Sequence, residues 1–407
     1  MAYQTALTIE SVIKDIDSKK YLLPSIQREF VWSTGQIEKL FDSLMRDYPI
    51  NAFLFWKVPR EKVSEFKFYE FLRDYHQKDN KHNPKANTNG TEDIIAILDG
   101  QQRMTSLYIA LKGTYAYKMS YKRWDNPAAY PKRKLYLNLL AASDDADMFY
   151  DFLFLTEEEA KNIKNDNDEY EGSFWFPVGK ILDFREESDV NDYLIDNDLN
   201  TVADKAQAKF ANKALFKLYS VIHNKQTISY YLEESTELDK VLNIFIRVNS
   251  GGTTLSYSDL LLSFATAQWE HKDAREEINE FVEEVNMIGR GFNIGKDLIL
   301  KSCLVLADAI RIAVELMASF GFSRDNLNSN SILIPIAYYI KTIGNPVNFV
   351  DSKKYASDRE KIKKWIVASL LRRVFSSQPD GILRPVREII QKNTSGAFPL
   401  EEIIDRF

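Results

Sequence analysis

The sequence predicts an α+β fold, in which a small mixed sheet with helices is followed by a mainly helical region. Two short apolar runs, AFLFWKV before Pro59 and IIAIL at 94–98, have the composition of buried strands. A segment with helical spacing of apolar residues adjoins each run. From residue 272 onward the spacing is almost entirely helical. Breaks are expected at Gly321, Gly344 and Gly381.

This pattern divides the chain into two expected domains. The first covers residues 1–270 and carries insertions at about 60–93 and 114–200, where the sequence is charged or irregular. The second covers residues 271–407 and is helical.

The first half of the N-terminal domain contains two helices by local signals. A loop is expected from residue 21. Ser33 and Gln36 can then form a capping box at the start of a helix that ends by Pro49. A second helix follows the strand at 94–98 and is expected to stop at Gly113.

The second half of this domain is predicted from weaker signals. A helix is expected over 202–224, and the apolar run NIFIRV, 243–248, is predicted to be a strand. A small, polar, glycine-rich turn follows, and then a helix from about Ser256 to Trp269.

The composition excludes several classes of protein. With one cysteine, Cys303, an intrachain disulfide is impossible, and its apolar surroundings predict a buried, inert thiol. The start of the chain lacks a signal-peptide pattern, and no apolar run reaches about 18 residues. We therefore expect a cytoplasmic protein without a membrane span. Because the net charge is −6, any contact with DNA must use a local basic patch.

The four histidines do not predict a metal centre. His76 and His82 lie in a polar stretch that is typical of a solvated loop. A zinc site would lack thiolate ligands, and an HNH-type nuclease centre would lack its histidine cluster.

The sequence DGQQR, 99–103, is the strongest candidate site because it joins a strand to the start of a helix. Backbone N–H groups there attract anions, and glycine lets a phosphate approach closely. Candidate roles are metal or water placement for Asp99, phosphate contact for Gly100 and Arg103, and hydrogen bonding for Gln101 and Gln102. The alternative is plain helix capping by Asp99 and Gln102.

Two further segments extend this candidate site. In PSIQREFVW, 24–32, Gln27 and Arg28 precede the capped helix. Arg28 is a second phosphate ligand, the partner of a carboxylate, or a surface charge. In FIRVNSGGTTLS, 245–256, Asn249, Ser250 and Gly252 belong to a turn that can present N–H and hydroxyl donors. The alternative for this turn is an ordinary connection between a strand and a helix.

In this order, QREFVW, LDGQQRMTSL and FIRVNSGGTTLSYSDLL resemble the N-terminal domain of GmrSD-type, modification-dependent restriction endonucleases. The resemblance implies a ParB/sulfiredoxin-like core and binding and hydrolysis of a nucleoside triphosphate, coupled to sensing of modified phage DNA. For such an enzyme we expect Mg²⁺ as the cofactor. The resemblance also implies a set of site residues. Asp99, Gln102 and Arg103 would be catalytic, with Asp99 as metal ligand, and Gln27, Arg28, Gly100, Gln101, Asn249, Ser250 and Gly252 would bind the nucleotide.

The sequence departs from that family at its end. Many relatives continue into a histidine-rich HNH-type nuclease domain, whereas this chain ends at FPLEEIIDRF. Either a separate nuclease subunit cuts the DNA, or the chain is a fragment of a longer protein. A homo-oligomer is also compatible with the helical second domain.

A basic and aromatic segment, 115–136, is the candidate DNA contact. Basic groups can follow phosphates while aromatic rings stack on bases. The expected DNA-binding residues are Lys122, Arg123, Trp124, Lys132, Arg133 and Lys134. Pro127 and Pro131 predict a loop or hairpin, and the alternative is a solvated hairpin with buried aromatic residues.

Three functions remain open from the sequence. The first is a Mg²⁺-dependent nucleoside triphosphatase of a restriction or anti-phage system; no GxxxxGK[ST] loop is present, which disfavours a P-loop enzyme. The second is a module that senses nucleotide or DNA without hydrolysis and recruits a nuclease. The third is a self-sufficient nuclease using Asp144, Asp145 and Asp147, which otherwise form a solvated turn.

Overall fold

The computed structural model describes residues 2–25, 27, 29–88, 92–162, 173–201, 204–249, 274–301, 307–327, 329–372, 374–375, 379–393 and 396–406. The chain divides into two compact units, Met1–Thr254 and Leu255–Phe407. The first is mixed α/β and the second is helical, which confirms the predicted fold class. Cys303 and the helix expected from Ser256 to Trp269 lie outside the described residues.

A six-stranded mixed sheet forms the centre of the first unit. Its strands, in spatial order, are β1 Ala2–Tyr3, β11 Tyr230–Glu233, β3 Phe53–Val58, β6 Ile94–Asp99, β2 Tyr21–Pro24 and β4 Phe68–Tyr69. β6 is parallel to β2 and antiparallel to β3. The carboxyl ends of β2 and β6 therefore lie at the same edge of the sheet as the start of β3.

Two smaller sheets complete the strands of this unit. One is the parallel pair β5 Asp74–His76 and β7 Thr114–Ala116. The other is antiparallel and contains β8 Lys134–Ala142 between β9 Tyr150–Leu155 and β10 Trp175–Pro177. The expected insertions are thus largely ordered structure.

The helices of the first unit pack on these sheets. They are α1 Ile9–Asp17, α2 Thr34–Met45, α3 Arg60–Val63, α4 Gln101–Lys112, α5 Glu157–Asn162, α6 Glu187–Asp196, α7 Lys205–Tyr219 and α8 Leu238–Asn249. The predicted capping box of Ser33 and Gln36 is present at the start of α2. Ten of the twelve residues of α4 are buried, so this helix is surrounded by protein.

Carboxylates on α2 bind the backbone of β9, the edge strand of the three-stranded sheet. The N–H groups of Phe149 and Tyr150 donate to Asp42 Oδ1 at 2.9 and 2.8 Å. The N–H of Phe154 donates to Glu38 Oε1 at 3.0 Å. These bonds satisfy backbone groups at both ends of an edge that would otherwise be unpaired.

Two expectations for the first unit are wrong. The run 243–248 is part of helix α8, because Val241 and Phe245 are one helical turn apart and both fully buried. Residues 21–24, expected as a loop, form strand β2, with all four residues buried between β6 and β4.

The second unit contains seven α-helices and two short 3-10 helices, Asn330–Ile332 and Lys353–Tyr355, among its described residues. The α-helices are α9 Ala274–Asn286, α10 Lys296–Lys301, α11 Ala307–Ser319, α12 Leu333–Thr342, α13 Ala356–Leu371, α14 Pro379–Lys392 and α15 Leu400–Arg406. Tyr339, Phe349, Trp365 and Phe398 form the aromatic centre of its core. Helical structure is interrupted at Gly321 and Gly344 as predicted, but Gly381 lies inside the first turn of α14.

Within the described residues, no helix combines the length and the apolar character needed to cross a bilayer.

Candidate functional site

The DGQQR motif forms the turn between β6 and α4. Gly100 is the N-cap residue of α4 and has φ +89°, a left-handed conformation that favours glycine. A Cβ at this position would lie 2.2 Å from Cδ1 of the buried Phe53 ring. The N-cap residue is therefore Gly100, which offers no side-chain cap, and not Asp99, to which the capping alternative assigned this role.

Arg103 is held by the protein's own backbone. Its guanidinium donates to the carbonyl oxygens of Ile50, Asn51 and Ala52, the last two at 2.9 and 3.3 Å. Three consecutive carbonyls converge on one group where Asn51 has φ +63°. The guanidinium also lies 4.4 Å from the centre of the Phe53 ring.

Asp99 completes the surroundings of this guanidinium. Its Oδ2 lies 3.3 Å from Arg103 Nη2, with side-chain exposures of 30% for Asp99 and 15% for Arg103. Burial lowers the pKa of the arginine, and the Asp99 charge acts in the opposite direction. Arg103 is therefore an internal clamp rather than a freely extended phosphate ligand.

The glutamines of the two motifs also bind backbone atoms. Gln27 Nε2 donates to the carbonyl oxygens of Ile97 and Leu98 at 2.9 and 2.6 Å. Gln102 Nε2 donates to the Glu29 carbonyl, and Gln102 Oε1 accepts the N–H of Val31, both at 2.9 Å. The described residues of QREFVW therefore lie next to the DGQQR turn, at one edge of the sheet.

Glu29 forms a contact that the sequence interpretation missed. Its Oε1 lies 2.5 Å from His82 Nδ1, and both side chains are partly buried. The expectation that His82 is solvated is therefore wrong. No signal in the sequence pairs these residues, because 53 positions separate them and the intervening chain returns through β4.

Four expected site residues are not placed at this turn, whereas Gln101 is part of it. Arg28, Ser250 and Gly252 lie outside the described residues. Asn249 is the last residue of helix α8, so the predicted strand before the glycine-rich turn is absent there. Gln101 is buried at the first position of α4. Gln27, Gly100, Gln102 and Arg103 are brought together, with Asp99 at their edge.

The sequence of this chain is similar to those of known proteins. A family model described as the N-terminal domain of the GmrSD restriction endonuclease matches residues 9–266. The chain belongs to this family. It is also 26% identical over 259 residues to an uncharacterized protein of Methanocaldococcus jannaschii. This match covers 62% of the chain and 40% of the relative's length. Membership indicates a component of a restriction or defence system.

In this GmrSD-family domain the basic segment, 115–136, begins in β7 and ends in β8, and residues 117–133 form a loop with one short 3-10 turn, Pro127–Ala129. Lys122, Arg123, Lys132 and Lys134 are exposed. Trp124 is half-buried and packs edge-on against Tyr130. Arg133 differs from the other basic residues because it is 5% exposed. Its guanidinium lies 4.4 Å from the centre of the Tyr117 ring, so it packs within the protein.

Metal ligands are sparse around the motif. In the described parts of the chain, no group of three or more His, Cys, Asp or Glu side chains is placed to bind a metal ion together. A Mg²⁺ ion at this turn would have Asp99 as its protein ligand, with phosphate oxygens and water supplying the rest, a common arrangement for this ion.

Proposed function

We propose that this GmrSD-family chain binds a nucleoside triphosphate with Mg²⁺ at the β6–α4 turn and hydrolyses it. In this proposal hydrolysis is coupled to sensing of modified DNA in a restriction or anti-phage system. One observation carries the nucleotide site. A glycine begins a buried twelve-residue helix without a side-chain cap, and a partly exposed carboxylate, Asp99, lies beside it.

In this proposal the phosphates contact backbone N–H groups of the turn, and the long side chains of the motif do not reach them. The first N–H groups of an α-helix have no partner within the helix and bind anions. The hydrogen bonds of Gln27, Gln102 and Arg103 to the main chain hold this turn in one conformation. Its backbone N–H dipoles would then stabilise the negative charge of phosphoryl transfer without having to reorient. Asp99 would hold the metal, and Mg²⁺ would neutralise the phosphate oxygens.

A second candidate function is a module that binds nucleotide or DNA without turnover and recruits a separate nuclease. The engagement of Arg103 by three carbonyls and Asp99 favours it, because that guanidinium would have to leave its partners to reach a transferring phosphate. Both candidates use the same turn, and they differ in phosphate release.

In either case we propose that DNA contacts the exposed cations of the basic segment, Lys122, Arg123, Lys132 and Lys134. Reversing Lys132 and Lys134 to glutamate should weaken DNA binding and reduce its dependence on salt concentration. A separate nuclease subunit is part of the proposal because the family is that of a restriction endonuclease. A homo-oligomer is also part of it, with the helical second unit as the candidate contact surface.

The decisive experiment compares Asp99→Asn with Asp192→Asn, an exposed carboxylate on α6. Each protein is incubated with each nucleoside triphosphate and Mg²⁺, with and without modified phage DNA. Nucleotide binding, phosphate release and DNA integrity are then measured. We expect Asp99→Asn to weaken Mg²⁺-dependent binding by about tenfold or more, and Asp192→Asn to match the wild type.

The outcomes separate the candidates. Phosphate release that depends on Asp99 supports hydrolysis, and binding without release supports the recruiting module. Wild-type protein that binds none of the nucleotides contradicts hydrolysis and also the nucleotide-binding form of the recruiting module. Cleavage of DNA by the chain alone supports the third possibility, a self-sufficient nuclease.

A further inference from the structure

The loop at 117–133 carries one tyrosine at its tip whose side chain is entirely in solvent. Tyr121 is 105% exposed and has φ +63°. It occupies the third position of a turn that the Lys122 N–H closes on the Met119 carbonyl at 3.4 Å. With a positive φ, this turn position favours glycine or asparagine, so a tyrosine here costs free energy and returns no packing within the chain.

The loop beneath Tyr121 is held in place by specific contacts. The Met119 N–H donates to the Ala129 carbonyl at 2.8 Å. The ammonium of Lys118 donates to the carbonyls of Met119 and Lys122 at 3.2 and 2.8 Å. The hydroxyl of the buried Tyr130 donates to the Trp124 carbonyl at 3.0 Å. The projection of the Tyr121 ring is therefore built into the fold of the loop.

Exposed basic residues lie near this ring along the chain. Lys122 and Arg123 follow it directly and are exposed, and Lys132 is exposed at the other end of the loop. Between residues 117 and 134 the sequence has six basic residues and a single acidic one, Asp125. A planar ring next to cations matches a nucleic-acid strand, in which a flat base adjoins charged phosphates.

We infer that Tyr121 is a stacking finger that packs against an unstacked base of bound DNA, while Lys122 and Arg123 contact the flanking phosphates. This inference rests on the proposed function, because it takes DNA as the partner. It adds a specificity: the chain should prefer DNA that offers an unstacked base over a continuous duplex, since a stacked base has no free face for the ring.

The test uses the full chain and three variants. Tyr121→Gly removes the ring and relieves the left-handed conformation, so it is expected to fold at least as stably as the wild type. Tyr121→Phe keeps the ring. Tyr3→Ala removes another exposed tyrosine, 60% exposed on β1, and is the matched control.

Binding is measured by fluorescence anisotropy with two oligonucleotides, a continuous duplex and the same duplex with one bulged 2-aminopurine. We expect Tyr121→Gly to weaken binding of the bulged DNA by about tenfold or more and to change duplex binding little. Wild type, Tyr121→Phe and Tyr3→Ala should quench 2-aminopurine fluorescence by stacking, whereas Tyr121→Gly should not.

Other results would overturn the inference. If Tyr121→Gly binds both DNAs as the wild type does, the finger is excluded while DNA binding stands. If both affinities fall equally, the ring supports the phosphate contacts and does not read a base. If the variant loses binding to anionic phospholipid vesicles and retains DNA binding, the loop is a membrane contact. Wild-type protein that binds neither DNA removes the DNA partner of the proposed function as well.

Discussion

Replacement of Arg103 by alanine should destabilise the fold before it alters any chemistry. The guanidinium holds three consecutive carbonyls, of Ile50, Asn51 and Ala52, and lies 3.3 Å from Asp99. A hydrogen bond to a charged group is worth about 1.5–3 kcal/mol, and removal of one partner of a buried ion pair costs about 3–5 kcal/mol. Since Asp99 is partly exposed, solvent recovers part of this loss. We expect the free energy of unfolding to fall by about 2–4 kcal/mol.

Urea unfolding measures this change, and two further variants sharpen the result. Arg103→Lys keeps the charge but cannot span three carbonyls, so it should lose about half as much stability as Arg103→Ala. Lys39→Ala removes one partner of an exposed ion pair with Asp147 and should change stability by less than about 0.5 kcal/mol.

The opposite pattern would refute the clamp. If Arg103→Ala unfolds at the same urea concentration as the wild type yet loses nucleotide binding, the guanidinium is a ligand that leaves its carbonyl partners when the phosphate arrives. Nucleotide binding must therefore be measured below the unfolding transition of each variant, where both proteins are folded.

Three further predictions concern the surroundings of the motif. Gly100→Ala should lower the free energy of unfolding by at least about 2 kcal/mol, because its Cβ would meet the Phe53 ring at 2.2 Å; urea unfolding checks this. Gln102→Leu should cost about 1–3 kcal/mol by leaving backbone groups of the QREFVW loop unpaired, and a change within about 0.5 kcal/mol would contradict it. Burial raises the pKa of Glu38 to about 7 from its ordinary value of 4.5, with the Asp151 charge acting in the same direction. Between these two pH values the folded wild type holds a proton on Glu38 that the unfolded chain has released. The contribution of Glu38 to stability is therefore complete below about pH 4.5 and is lost as the pH rises to about 7. Glu38→Gln should remove this decline and be more stable than the wild type by about 1–3 kcal/mol at pH 8, as measured by urea unfolding at pH 5 and pH 8.

The sequence predicted those elements whose signals are local. The strand at 94–98, the helix that follows it and the capping box of Ser33 all have their determinants within a few residues, and the structure confirms them. Gly113 ends α4 for a different reason than expected. Its φ is −122°, and a Cβ there would meet the Arg73 carbonyl oxygen at 1.7 Å, so close packing rather than a left-handed turn requires glycine.

The elements that the sequence did not predict depend on distant partners. β11, at 230–233, has no alternating apolar pattern and is defined by its pairing with β3 and β1. The run 243–248 is rich in residues that favour strands, yet its helix buries Phe245 completely. Such a short apolar run is compatible with either structure, and tertiary packing decides between them.

For the candidate site, the motifs identified the right residues but not their partners. Main-chain atoms of neighbouring segments bind the side chains of Gln27, Gln102 and Arg103. Main-chain oxygens are present whatever residue occupies a position, so no side-chain pattern in the bound segments could reveal these contacts. The same chemistry explains why glutamine suits both positions. A carboxylate at Gln27 would face two carbonyl oxygens without a proton to donate, which is a repulsive arrangement in a buried site. Together these side chains fix the backbone at the start of α4. The proposed nucleotide would contact the N–H groups of that backbone rather than the side chains of the motif.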